Sequence, residues 1–116
     1  MAQTLEAGMV FHPVDDFAAA VAFYENALGL SLQFKDGERF AVFDAGGTRI
    51  ALAAGEERVA DGVAVSYKVD DVDAMIAELS EAGAEIVSQA ADGPHERRAV
   101  LRDPAGNALV VYASLS

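Results

Sequence analysis

The chain has no cysteine among its 116 residues. That absence excludes disulfides, thiol nucleophiles, Cys-ligated zinc and iron–sulfur clusters, and it fits a reducing compartment. Basic residues are scarce as well: eight Lys and Arg stand against 19 Asp and Glu, a formal net charge of −11. A surface of this sign cannot release counterions from a phosphate backbone, so neither nucleic acid nor an anionic membrane is expected as a partner. It favours solubility and attracts cations. No Lys or Arg precedes Lys35, and the longest apolar run is only Phe17 to Tyr24. Neither a signal peptide nor a membrane span is expected from such a chain, and a cytoplasmic location is. Lys and Arg are also missing between Lys68 and Arg97, which makes that stretch the most negative.

What is present suits one small domain. A hydrophobic content of 53% supplies a core without staples. The chain also echoes itself. Val14-Asp15-Asp16-Phe17 returns as Val69-Asp70-Asp71-Val72, an offset of 55 residues; Leu28-Gly29-Leu30 is answered by Ala82-Gly83-Ala84, and Asp44-Ala45-Gly46-Gly47 by Asp103-Pro104-Ala105-Gly106. Residues 1–116 therefore read as a single domain of two tandem modules, about 8–54 and 62–113, joined by the polar stretch Gly55 to Gly62.

The periodicities of the two halves agree. Gly8 to Val14 and Val63 to Val69 read as strands, the first closing at Pro13. Asp15 or Asp16 then caps a helix carrying Ala20, Val21, Phe23, Tyr24, Ala27 and Leu28 at helical spacing, with Gly29 as its stop. Asp70 or Asp71 does the same for Val72, Met75, Ile76 and Leu79, stopped at Gly83. Three strands follow in each half, near 30–35, 38–44 and 48–53, then near 84–89, 97–102 and 107–113. Asp36-Gly37 is a hairpin signal, and Ala90 to Glu96 reads as a longer loop. The order is βαβββ twice, an α+β fold.

The motifs Pro13-Val14-Asp15-Asp16, Phe23-Tyr24-Glu25-Asn26-Ala27-Leu28-Gly29-Leu30, Val69-Asp70-Asp71-Val72 and Arg102-Asp103-Pro104-Ala105-Gly106-Asn107 span nearly the whole chain. Together they resemble the vicinal oxygen chelate superfamily of glyoxalases, bleomycin-resistance proteins, fosfomycin-resistance enzymes and extradiol dioxygenases. The resemblance implies a curled mixed sheet around an open barrel-like cleft, helices on the outer face, often completed by a second subunit. Most of the motif residues have scaffold roles, helix packing and turn formation, and leave function to the site.

Enzymes of that superfamily hold a divalent metal with His, Glu or Gln from the first and last strand of each half. Counted from the motifs, the four slots fall here on Met9, Ala51, Ala64 and Val110. None of these can ligate Mg²⁺, Mn²⁺, Zn²⁺ or Fe²⁺, so no metal and no other cofactor is expected. His12 is expected to face away from the Met9 slot, near the helix, and His95 lies in a loop. Strand alternation adds Phe11, Ser66, Arg49 and Tyr112 to the same faces, giving a lining suited to holding a ligand. The expected function is metal-independent binding of an aromatic or cationic natural product, of the bleomycin-resistance type, in a homodimer with shared clefts. The alternative is a metal-free isomerase, lyase or cyclase in which His95, Tyr112 or Ser66 moves a proton.

Overall fold

A computed structural model describes residues 6–115. Eight strands and two helices follow the expected order: β1 (Glu6–Pro13), α1 (Phe17–Ala22), β2 (Ser31–Asp36), β3 (Phe40–Asp44), β4 (Arg49–Ala53), β5 (Ala64–Lys68), α2 (Val72–Glu81), β6 (Glu85–Asp92), β7 (Glu96–Arg102) and β8 (Ala108–Ser114). The fold is α+β with parallel and antiparallel pairs mixed. It divides into two compact units, one Met9–Val63, the other running from Ala64 onward and including β1 up to Gly8.

In the first unit the strand order is β2-β3-β4-β1, with β1 parallel to β4 and the other neighbours antiparallel. In the second it is β5-β8-β7-β6, with β5 parallel to β8. The repeat in the sequence is thus a repeat of topology. Each sheet is open, and the strong curl and barrel-like form expected of them are not found. Bulges interrupt pairing on the outermost strands, between Leu32 and Phe34 on β2 and between Ile86 and Ala91 on β6, which is how edges end a ladder rather than extend it.

The caps resolve the paired aspartates. Asp16 accepts a hydrogen bond from the Ala19 N–H, and Asp71 from the Ala74 N–H, both at 3.1 Å. Each satisfies a donor that the first helical turn leaves unpaired. Asp15 instead pairs with Arg58, tying the start of α1 to the segment after β4. The first helix departs from expectation: α geometry ends at Ala22, and a wider π-helical turn runs over Phe23–Ala27, with Leu28 N–H donating to the Phe23 carbonyl at 3.1 Å. Tyr24 still packs toward the sheet, but Phe23 is left exposed. Gly29, at φ +69°, ends the element.

Each helix covers one face of its own sheet. In the first unit Phe17 and Val21 pack on Ala41, Phe43 and Leu52, with Ile50 and Tyr24 at the margin. In the second Val72, Met75 and Ile76 pack on Ala99, Leu101 and Val111, with Leu109 and Ile86 beside them. Because neighbours along a strand point to opposite faces, these lists also fix which residues occupy the other, helix-free faces.

Candidate functional site: the helix-free sheet faces

Ile50 and Leu52 face α1, so Arg49, Ala51 and Ala53 of β4 point the other way. Register carries this face across the unit: Met9 lies beside Arg49, Phe11 beside Ala51, Val42 beside Ala51 and Phe40 beside Ala53. The structure therefore brings Met9, Phe11, Arg49 and Ala51 together on one helix-free surface. Ala51 and Phe11 are buried, Met9 is half-buried and Arg49 is exposed.

Three phenylalanines cross that surface. The Phe11 ring centroid lies 6.3 Å from Phe40, and Phe40 lies 6.3 Å from Phe34, within the range of favourable tilted aromatic pairs. Exposure climbs along the row, from 6% at Phe11 to 55% at Phe34. Val42 and Ala51, both buried, form the apolar floor beside it. Phe34 and Phe40 are missing from the residues singled out in the sequence. They flank the Asp36-Gly37 hairpin, and it is their register partners, Val42 and Ala53, that put them on the face of Ala51.

In the second unit Leu109, Val111 and Ala113 face α2, which leaves Ala108, Val110 and Tyr112 on the helix-free side of β8. Ser66 pairs in register with Val110, and Lys68 with Tyr112, placing Ala64, Ser66 and Lys68 on that side too. So Ala64, Ser66, Val110 and Tyr112 are also brought together. Ala64 and Val110 are fully buried and Ser66 is 3% exposed. The Tyr112 hydroxyl lies against Gly8, where a Cβ would stand only 2.6 Å from it. Arg98 pairs with Tyr112 from β7, so Lys68 and Arg98 flank the phenol on either side. Glu96 stands 3.8 Å from the Arg98 guanidinium and offsets one of these two charges.

The two histidines lie elsewhere. His12 is on the opposite side of β1 from Phe11, half-buried, its ring 6.0 Å from Tyr24. His95 is exposed in a short break, residues 93–95, because β6 runs on to Asp92. The expected loop from Ala90 is replaced by strand and closed by Gly93 N–H donating to the Glu96 carbonyl at 2.7 Å. Arg97 supplies the physical reason. It pairs in register with Asp92, with Nη1 2.9 Å from the carboxylate, and so extends the β6–β7 ladder.

A divalent metal needs several oxygen or nitrogen donors converging on one point. Met9, Ala51, Ala64 and Val110 supply none of these, and among the described residues no three His, Asp or Glu side chains are grouped to hold an ion. The residues present do not fit the metal site of the enzymes that the sequence resembles.

Comparison with known proteins gives a consistent picture. The family model described as Glyoxalase/Bleomycin resistance protein/Dioxygenase superfamily matches residues 7–111. An uncharacterized protein of Mycolicibacterium smegmatis is 40% identical over 111 residues, covering 95% of each chain. The uncharacterized protein YraH of Bacillus subtilis is 33% identical over 88% of this chain and 93% of its own. Among solved structures, a glyoxalase/bleomycin resistance protein/dioxygenase superfamily member from Vibrio splendidus superposes with a TM-score of 0.76, over 95% of this chain and 99% of the other, at 16% identity; this likeness speaks for the fold alone.

Proposed function

The chain belongs to the glyoxalase/bleomycin resistance protein/dioxygenase superfamily, and on that footing we propose that it binds a small aromatic molecule without a metal, as bleomycin-resistance proteins sequester theirs. The observation that supports this reading is the row Phe11, Phe40 and Phe34 over the buried floor of Val42 and Ala51. Rings set in a row offer stacking area to a flat ligand, and an exposed phenylalanine beside a half-buried and a buried one gives it an entry. The apolar slots fit the same reading in that they offer a metal no donor; Ala51, Ala64 and Val110 are fully buried, which leaves the partly exposed rings to meet the ligand. The net charge of −11 favours cationic ligands at long range, but Lys68 and an Arg98 offset by Glu96 stand beside Tyr112, so the aromatic character carries the proposal.

A second reading has one observation in its favour. Ser66 is a buried hydroxyl on the same face as the Tyr112 hydroxyl, the arrangement a metal-free isomerase, lyase or cyclase would need for proton transfer. His95, exposed in its turn, is less suited to that role.

Native mass spectrometry of the chain against a panel of aromatic metabolites and antibiotics tests both readings. The binding reading expects one ligand per chain, released at unchanged mass, with the adduct weakened in Phe34→Ala. A ligand returned at altered mass or as an isomer supports the enzyme reading. No adduct from the panel, or an adduct indifferent to Phe34→Ala, counts against the phenylalanine face.

A further inference from the structure

Beneath α2, on the side of the second unit away from the face just described, lies a cleft of about 350 Å³ lined by Tyr67, Met75, Leu79, Asp103, Leu109 and Val111. We propose that this cleft is a separate small-molecule site whose ligand is an apolar monocation, an alkyl- or arylalkylammonium ion. Its volume falls in the range that small ligands occupy, and four of its six walls are aliphatic or thioether side chains. Tyr67 adds a ring, and Asp103 is the one charged group in the lining.

That carboxylate is held in place and only partly used. Oδ1 accepts the N–H of Ala105 at 3.0 Å and of Asn107 at 2.8 Å, and Oδ2 accepts the Asn107 amide at 3.1 Å. The neighbouring Gly106 N–H gives its hydrogen bond to the Asp103 backbone carbonyl at 2.9 Å, so of a carboxylate's roughly four acceptor sites one on Oδ2 can still accept from a ligand. The same bonds, led by the Asn107 backbone N–H, hold the Asp103 carboxyl below its usual range and keep it ionised. Its sequence neighbour Arg102 leans toward Glu85, and among the described residues no Lys or Arg pairs with Asp103. The turn lies next to the end of α2: a Cβ added at Gly83 would meet Pro104 at 3.6 Å. A fixed anion without a counter-cation at an apolar cleft is complementary to a cation on an apolar stem.

The test is a titration of the full ¹⁵N-labelled chain with 2-phenylethylammonium and, separately, with 2-phenylethanol, followed by amide shifts. The ammonium should move Tyr67, Leu79 and Leu109 and bind at least about tenfold more tightly than the alcohol, the difference expected of one charge-assisted hydrogen bond. Leu79→Trp, which fills the cleft from the half-buried rim, should weaken the ammonium about tenfold or more. Asp103→Asn keeps an oxygen for the two backbone N–H groups and should bring the two probes to equal affinity. Equal binding of both probes to the parent chain would overturn the proposal. So would ammonium shifts that survive Leu79→Trp, that centre on Phe34 and Phe40, or that do not occur at millimolar probe. Should Asp103→Asn fail to fold, the parent comparison and Leu79→Trp still decide.

Discussion

At the residue scale the phenylalanine row separates two roles that one side-chain type can play. Phe11 is buried and Phe34 is more than half exposed, so truncating them has different consequences. Phe11→Ala removes a core ring and should cost about 3–5 kcal/mol in chemical denaturation. Phe34→Ala should change stability by less than about 1 kcal/mol, yet weaken an aromatic ligand by about 1–3 kcal/mol in a binding titration. Equal stability losses for the two would place Phe34 in the core and remove it from the site. Val110→Glu probes the slots from the opposite side. It restores one carboxylate at a fully buried position with no further donor at Met9, Ala51 or Ala64. Isothermal titration should show no gain in Mn²⁺ or Zn²⁺ affinity, while unfolding shows destabilisation from the unpaired charge.

At the element scale the second helix is fixed at its start by side chains that the sequence displays openly. Asp71 caps it, and Asp71→Ala should cost about 0.5–2 kcal/mol, measured by urea unfolding, with Asp16→Ala doing the same for α1. Asp73, in the first turn, receives both Nε and Nη2 of Arg97, at 3.1 and 2.9 Å, while the same guanidinium reaches Asp92. The hydrogen bonds from Arg97 hold the Asp73 carboxyl below its ordinary value of 3.8. A carboxyl whose folded value is depressed stabilises the fold above its unfolded value and loses that contribution as pH falls through the folded one. Thermal unfolding of the parent should therefore drop more steeply below pH 3.8 than that of Asp73→Asn; parallel acid limbs would show the clamp to be without energetic consequence.

Elements marked by turn chemistry were the legible ones. Gly29 and Gly83 adopt the positive φ that a helix stop asks for, and all eight strands fall within a few residues of their sequence-based positions. The π-helical turn at Phe23–Ala27 was hidden, because a single widened turn hardly disturbs the apolar spacing from Ala20 to Leu28. The Ala90–Glu96 stretch read as a loop because the ion pair that holds it as a strand links Asp92 to Arg97 across the hairpin. The four metal slots could be counted from motifs, and strand alternation placed Phe11, Arg49, Ser66 and Tyr112 on their faces. Phe34 and Phe40 required the register of β2 and β3, which a bulge between Leu32 and Phe34 shifts beyond what alternation alone can track.

At the scale of the whole molecule the two units repeat one topology, each with a helix on one face and a second face built largely of small and apolar side chains. Among the described residues no helix is long and apolar enough to cross a membrane. Exposed Phe34 on the edge strand β2 gives a physical motive for pairing with a second copy, since an apolar edge in water invites association. The homodimer expected from the sequence predicts a sedimentation coefficient of two chains at micromolar concentration, and a single-chain species there would contradict it. The central claim, aromatic binding without a metal, is tested most directly by measuring affinity for an aromatic ligand from the panel before and after exhaustive chelation. The predicted result is the same dissociation constant in both states, with added Mn²⁺, Zn²⁺ or Mg²⁺ leaving it unmoved. Binding that vanishes with chelator and returns with a divalent ion would contradict it.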